Sequence, residues 1–228
     1  MIPANTWRTI NGQTYYYQNY AKQKNNWIQD DGAWYYMNGD GLVSKGWLNQ
    51  SGKSYYLDDS TGKMITGWKS DSGKWYYFGS SGALSKGWIN DNGTWYYSNQ
   101  DGVMQTGWLD DGGERYYLKG SGAMATGWRE MDGAWYYFEG SGRMAKGVID
   151  VGGLHYYMDP STGRMAAGTT VDIGGVAYTA DGNGVLSQVA QESGNETGDS
   201  QTGNVQTQAP DGSQGGQGAP AFTERRGI

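Results

Sequence analysis

A phrase of tryptophan, glycine and clustered tyrosines recurs along this chain every 20 or 21 residues, and a fixed period of that length commits it to a stacked array. Aligned on the first position, the series runs Trp7, Trp27, Trp47, Trp68, Trp88, Trp108 and Trp128, with Val148 and Thr169 taking the same slot at the end. A glycine follows in every unit, from Gly12 to Gly174, and then a tyrosine, from Tyr15 to Tyr178. Nine matching units exclude coincidence. They also exclude one globule built around one pocket, because each repeat contacts mainly its neighbours.

Each unit reads as a β-hairpin. The turn carries Asp31-Gly32, Asn92-Gly93 or Asp132-Gly133, pairs that tolerate positive φ and favour tight hairpins. The second strand carries an aromatic triplet such as Trp75-Tyr76-Tyr77, suited to a pleated surface. A glycine-bearing connection then leads to the next unit, with Met64, Leu84, Met104, Met124, Met144 and Met165 as pliable fillers between layers. A lone two-stranded hairpin is marginal in water, so its rings require cover from the units on either side. The expected fold is therefore all-β: a solenoid of about nine stacked hairpins over residues 1–187, with less regular units at both ends. Residues 188–228 hold no Trp or Tyr and are dominated by Gly, Gln, Ser, Thr and Asn, so a disordered tail or linker is expected there.

Composition narrows the function. Eleven Trp and nineteen Tyr replace the usual aliphatic core, and forty Gly preclude long helices. A net charge of −6 lacks the basic face that nucleic acid requires. No apolar run approaches the roughly eighteen residues of a spanning helix, so membrane insertion is not expected. The chain has no cysteine and hence no thiolate metal site. Residues Met1-Ile2-Pro3-Ala4-Asn5 have neither the basic start nor the apolar stretch of a secretion signal, and the array begins at once. The chain thus reads as a piece of a longer exported product, with a misplaced start or a cytoplasmic protein as the alternatives.

Catalytic signatures are not found. His155 stands at a slot usually filled by Trp and reads as a substituted ring, since acid–base work needs partners it lacks. Asp58-Asp59 and Asp110-Asp111 lie beside turns, whereas glycosidase carboxylates must converge across a cleft. No nucleotide-binding loop occurs. Asp181-Gly182-Asn183-Gly184 is a single glycine–aspartate stretch, not an array of calcium turns. No enzyme, cofactor or metal is expected.

Side chains alternate faces along a strand, so Trp75 and Tyr77 share one face and Tyr76 takes the other. The central tyrosine, kept in every unit, is expected in the core, while the flanking rings vary as surface or ligand rings would. Regular aromatics in a repeat usually just pack. Here Trp recurs at two slots seven residues apart across a turn, which brings two indoles together on one hairpin. Two indoles plus a ring of the next unit form a box open on one side. Such boxes hold quaternary ammonium groups, at about 0.5–2 kcal/mol per cation–π contact.

The run Gly67-Trp68, Gly73-Lys74-Trp75-Tyr76-Tyr77-Phe78, Gly82-Ala83-Leu84 and Gly87-Trp88 resembles the cell-wall-binding repeats of the choline-binding family. That resemblance covers roughly residues 7–187 and recurs in nine units. It implies hairpins in a β-solenoid and a wall or surface location on Gram-positive bacteria, with choline-bearing teichoic acid held between consecutive units. Similar repeats in glucan-binding regions and clostridial toxins take sugars, so another cell-wall polysaccharide stays open as the partner. Carried over by position, the boxes are Trp27 and Trp34 with Tyr56, Trp68 and Trp75 with Tyr97, Trp88 and Trp95 with Tyr117, and Trp128 and Trp135 with Tyr157. The last tyrosine of the following triplet is nominated by the same-face argument, and Met104, Met144 or Leu84 as a floor. Ser54, Arg115 and His155 replace the second Trp, and Val148 and Thr169 the first, so the sites are expected to be patchy.

Three readings remain: a non-catalytic module binding choline-substituted wall polymers, a glycan-binding module, and a structural adhesin stalk. The sequence does not indicate an oligomeric state.

Overall fold

The computed structural model describes residues 5–189, which fall into two compact units, 5–105 and 106–189. All regular structure among them is β. The first unit holds the hairpins Asn5–Ile10 with Gln13–Gln18, Asn26–Asp30 with Ala33–Met37, Gly46–Gln50 with Lys53–Leu57, Gly67–Asp71 with Lys74–Phe78, and Gly87–Asp91 with Thr94–Ser98. The second holds Gly107–Asp111 with Glu114–Leu118, Gly127–Met131 with Ala134–Phe138, Gly147–Val151 with Leu154–Met158, and Thr169–Ile173 with Val176–Ala180. Each hairpin is named below by its leading residue.

The turn chemistry acts as the dipeptides dictate. Asp31 and Gly32 take φ of 46° and 72°, and Asn92 and Gly93 take 51° and 86°. Positive φ at both central residues matches the right-handed twist of the flanking strands. Register then sets the faces. Trp68 lies opposite Tyr77 and Ser70 opposite Trp75, while Lys69 and Tyr76 share the other face. The last hairpin departs by one residue from the sequence alignment. Thr170, not Thr169, lies opposite Thr179 as Trp128 lies opposite Tyr137, because the extra residue was absorbed before the strand.

Within each unit, backbone hydrogen bonds tie successive hairpins. The connection residue Met64 donates its N–H to the carbonyl of Trp34 in the preceding hairpin at 2.7 Å, and Ile65 donates to Tyr56 of its own hairpin at 2.8 Å. Leu84 and Met104 repeat this with Ser54 and Trp75, and Met144 and Met165 with Arg115 and Trp135. The filler side chains do pack between layers, and they explain one class of glycine. At Gly102, φ is +79° and an added Cβ would come within 2.6 Å of a Leu84 methyl. Met64 blocks Gly82, and Met144 blocks Gly163, in the same way. Leu84 and Met144, two of the three residues nominated as box floors, thus pack against turn glycines.

The core is not where the aromatic triplet suggested. The residue just after the triplet fills it: Met37, Leu57 and Phe78 in the first unit, and Leu118, Phe138 and Met158 in the second, are all 0% exposed. Each is flanked by the opening residue of its hairpin on one side, a glycine in all but the Asn26 hairpin, and the connection on the other, as in Gly67↔Phe78↔Leu84. Ser98 takes the same slot, and its buried hydroxyl has no hydrogen-bond partner among the described residues. The central tyrosines expected in the core are half-buried in most hairpins, among them Tyr35, Tyr55, Tyr76 and Tyr96.

Strand Leu186–Gln188 pairs with Val176–Ala180 and so includes Gln188, the first residue assigned to the tail. The expected disordered tail from residue 190 onward lies outside the described residues.

Gly102→Ala is expected to destabilise the first unit by about 2–4 kcal/mol, from left-handed backbone strain plus overpacking against Leu84. Equilibrium urea unfolding measures it, and a midpoint equal to that of the unmodified chain would contradict this packing.

Candidate functional site

In six hairpins, those of Trp7, Trp27, Trp47, Trp68, Trp108 and Trp128, the leading tryptophan is wedged between two rings. On its own hairpin it meets the last aromatic of the triplet, directly across the strand pair. Trp27–Tyr36, Trp68–Tyr77 and Trp128–Tyr137 centroids lie 5.3, 5.0 and 5.1 Å apart. On the following hairpin it meets the central tyrosine: Trp27–Tyr55 at 4.9 Å, Trp68–Tyr96 at 4.8 Å and Trp128–Tyr156 at 4.8 Å, all edge-to-face. Trp7–Tyr35 and Trp47–Tyr76 do the same in the first unit, and Trp108–Tyr136 in the second.

The next-hairpin ring is thus the central tyrosine, not the last tyrosine nominated from sequence. The reason is geometric. The indole face of one hairpin packs on the opposite face of the next, and the strand places the central tyrosine there. Tyr56 instead sits against Trp47 at 5.4 Å, and Tyr97 against Trp88 at 5.2 Å. Tyr117 lies against Trp108 at 5.3 Å, and Tyr157 lies opposite Val148. Trp88 and Trp95 belong to the first unit and Tyr117 to the second, and each is described within its own unit.

In two of the nominated pairs the indoles are in ring contact on one hairpin, while Trp27 and Trp34 share a face of theirs by register. Trp88–Trp95 and Trp128–Trp135 centroids are 6.5 and 6.3 Å apart at 80°, so the rings form two perpendicular walls. None of the eight nominated indoles is buried. Trp34 and Trp95 remain 40% and 42% exposed, so they cannot be explained as core. The seams differ in closure. Tyr55 and Tyr96 are half-buried, whereas Tyr156 is 3% exposed, and Trp128 packs into a cluster with Ile149 and Val151.

Two seams without a second indole hold a cation of the chain's own. Arg115 lies 5.6 Å over the Trp108 ring, anchored by Asp110 at 2.7 and 2.9 Å. Lys69 lies 5.3 Å over Tyr56, in the seam where Ser54 takes the Trp slot. These rings therefore already serve as cation seats.

Sequence reasoning also missed a set of carboxylates. The indole N–H of Trp7 donates to Asp30 at 2.8 Å, that of Trp47 to Asp71 at 3.0 Å, and that of Trp68 to Asp91 at 3.1 Å. Each aspartate ends the first strand of the following hairpin. Its recurrence beside the turn was visible in the sequence, but the indole it meets lies in the hairpin before.

The remaining polar groups serve the scaffold. Asp58 accepts hydrogen bonds from Ser60 and Thr61, which hold its carboxyl well below the usual range. Asp181 accepts from the N–H groups of Asn183 and Val185, both at 2.8 Å, and so closes a turn. His155 is exposed beside Asp150. No group of His, Cys, Asp or Glu that could hold a metal occurs among the described residues, and no helix there is long and apolar enough to cross a membrane.

The Tyr56 hydroxyl donates to Asp59 at 2.8 Å. Burial first, then that bond and nearby carboxylates, push its phenol up to about 12. The unfolded chain loses this proton near 10. The contribution to stability is therefore complete below pH 10 and lost as the pH rises through about 12. Tyr56→Phe is expected to flatten the fall of stability in that window, measured by urea unfolding at stepped alkaline pH. An unchanged slope would mean that Tyr56 does not carry it.

The family model described as "Choline-binding repeat" matches residues 65–98, 85–126 and 125–169. "Putative cell wall binding repeat" matches residues 25–42 and 45–64. Among solved structures, CbpJ of Streptococcus pneumoniae is 41% identical over 77% of this chain and 62% of its own, with a TM-score of 0.69. Choline-binding protein F of the same species, determined with a peptidoglycan analogue, is 43% identical over 77% of this chain and 62% of its own, with a TM-score of 0.67. The choline-binding domain of pneumococcal CbpL is 31% identical over 81% of this chain and 98% of its own, with a TM-score of 0.65. No curated protein matches the chain significantly.

Proposed function

Because this chain belongs to the family of choline-binding repeat proteins, we propose that it is a cell-surface module that holds choline-substituted wall polymers at the seams between its hairpins. The observation that carries the reading is the half-exposed indole pair backed by a tyrosine of the next hairpin. Trp27 and Trp34 with Tyr55, and Trp68 and Trp75 with Tyr96, have this arrangement inside one unit. Trp88 and Trp95 supply two perpendicular walls. Trp128 and Trp135 with Tyr156 form a third set on a more closed seam.

A quaternary ammonium fits such walls because its charge is spread over methyl groups and needs no hydrogen-bond acceptor, while ring faces attract it electrostatically. The Lys69–Tyr56 and Arg115–Trp108 contacts support a cationic ligand over a neutral sugar, since rings of neighbouring seams already seat cations. Each box is weak alone. Several on one chain, engaging a polymer with repeated choline groups, add avidity through high effective concentration. The chain spans 62% of the length of CbpJ and of choline-binding protein F, and wall attachment by binding, without a catalytic step, is the role proposed for it.

Choline is expected to give a saturable change in Trp fluorescence, and dextran to give none. Trp34→Ala and Trp75→Ala remove the second walls while leaving the wedged tryptophans in place, so choline capacity should fall with little change in unfolding midpoint. A response to dextran and not to choline would favour the glycan-binding reading. Silence to both would leave a stalk. Arg115→Trp removes the resident cation and supplies the missing wall, so calorimetric titration should show choline capacity rising by one site. Unchanged capacity would show that a second indole does not suffice.

A further inference from the structure

The seams are not equivalent in charge. The position that meets the indole N–H is Asp30, Asp71 or Asp91 in three seams of the first unit, but Gln50 behind Trp27. In the second unit it is Met131 behind Trp108 and Val151 behind Trp128. Trp27 has no hydrogen-bond acceptor for its indole N–H among the described residues. Of the three aspartate seams, that of Trp7 has Thr14 in the second-indole slot, and that of Trp47 has Ser54 there and Lys69 nearby. The Trp68 seam combines a carboxylate with two indoles and a tyrosine.

Like Asp30 and Asp71, Asp91 has no counter-cation among the described residues, but only in its seam does the carboxylate stand beside two indoles of the first unit. One carboxylate oxygen accepts from Trp68 at 3.1 Å and the other from the Asn92 amide at 2.9 Å, and it forms no ion pair among the described residues. Its charge is therefore uncompensated beside the box. The neighbouring rings register it: Tyr77 and Tyr96 both have phenols pushed up, by burial first and then by Asp91.

We propose that Asp91 is a specificity-determining residue that makes the Trp68, Trp75 and Tyr96 seam selective for a quaternary ammonium and tighter than the Trp27, Trp34 and Tyr55 seam. This rests on the cation-binding reading above. The carboxylate acts in two ways. Accepting the indole N–H fixes the Trp68 ring and enriches its face in electron density, which strengthens cation–π attraction. Its charge also attracts a cation directly, and a neutral ligand of the same shape gains nothing from that. Gln50 supplies no charge, so the Trp27 seam discriminates only through its rings.

The test reads each seam separately, from the indole N–H nuclear magnetic resonances of the eleven tryptophans in the isotope-labelled full chain. Choline and its uncharged carbon isostere, dimethylbutanol, are titrated in turn. In the unmodified chain, choline should shift Trp68 and Trp75 at lower concentration than Trp27 and Trp34, and dimethylbutanol should show no such preference. Asp91→Asn keeps an acceptor but removes the charge. It should weaken choline at Trp68 and Trp75 by roughly fivefold, with dimethylbutanol unaffected. Gln50→Asp, at a half-buried polar position, should tighten choline at Trp27 and Trp34 by a similar factor, and carries the test alone if Asp91→Asn does not fold. Equal loss of both ligands in Asp91→Asn would reduce Asp91 to a packing role and overturn the proposal. So would unchanged choline binding in both variants while the unmodified chain still binds. Absence of choline shifts in the unmodified chain would overturn the functional reading itself.

Discussion

The stack depends on the edge-to-face wedge of the leading tryptophan, which Trp7, Trp27, Trp47, Trp68, Trp108 and Trp128 each make with the hairpin that follows. The indole sits about equally far from the last ring of its own triplet and the central tyrosine of the next hairpin, 5.0 and 4.8 Å for Trp68. Each such pair is worth about 0.5–1.5 kcal/mol beyond the area it buries. The wedge, the buried residue that follows each triplet and the connection strand together convert marginal units into a stack. The backbone hydrogen bond from each connection to the preceding hairpin sets the spacing, and the blocked glycines, Gly82 and Gly102, keep that spacing short.

The same wedge creates the recognition surface. An indole gripped on two sides still presents an edge and part of a face to solvent, and a second indole seven residues on adds a wall at right angles. Packing and binding thus share atoms. The chain also fills seams with its own residues: Arg115 lies over Trp108, and Ile149 and Val151 pack against the same buried cluster as Trp128. Where it leaves the seam polar, an aspartate holds the indole N–H. Variation at a few slots on a constant scaffold therefore tunes each seam separately.

Much of the fold was legible in the primary structure. The hairpins, their turns with two positive φ values at Asp31-Gly32, and the filler role of Met64 and Leu84 follow from period, dipeptides and connection residues. Face assignment within a hairpin was legible too, since alternation puts Trp75 and Tyr77 together and Tyr76 apart. Two features were not. The core position, as in Phe78, looks from sequence like the end of an aromatic run, and only its enclosure by strand and connection singles it out. The next-hairpin ring was misassigned as Tyr97 because alternation within one strand says nothing about which face of the neighbouring hairpin turns toward it.

The boundary between the two sources of information is thus physical. Sequence alone determined the repeat, the all-β hairpin, the aromatic character of the seams and the family, because these are local or periodic properties of the chain. Tertiary structure decided that Tyr96 and not Tyr97 backs Trp68, and that Asp91 receives its N–H. Both depend on one hairpin's indole face meeting the opposite face of the next, and that packing joins residues more than twenty positions apart.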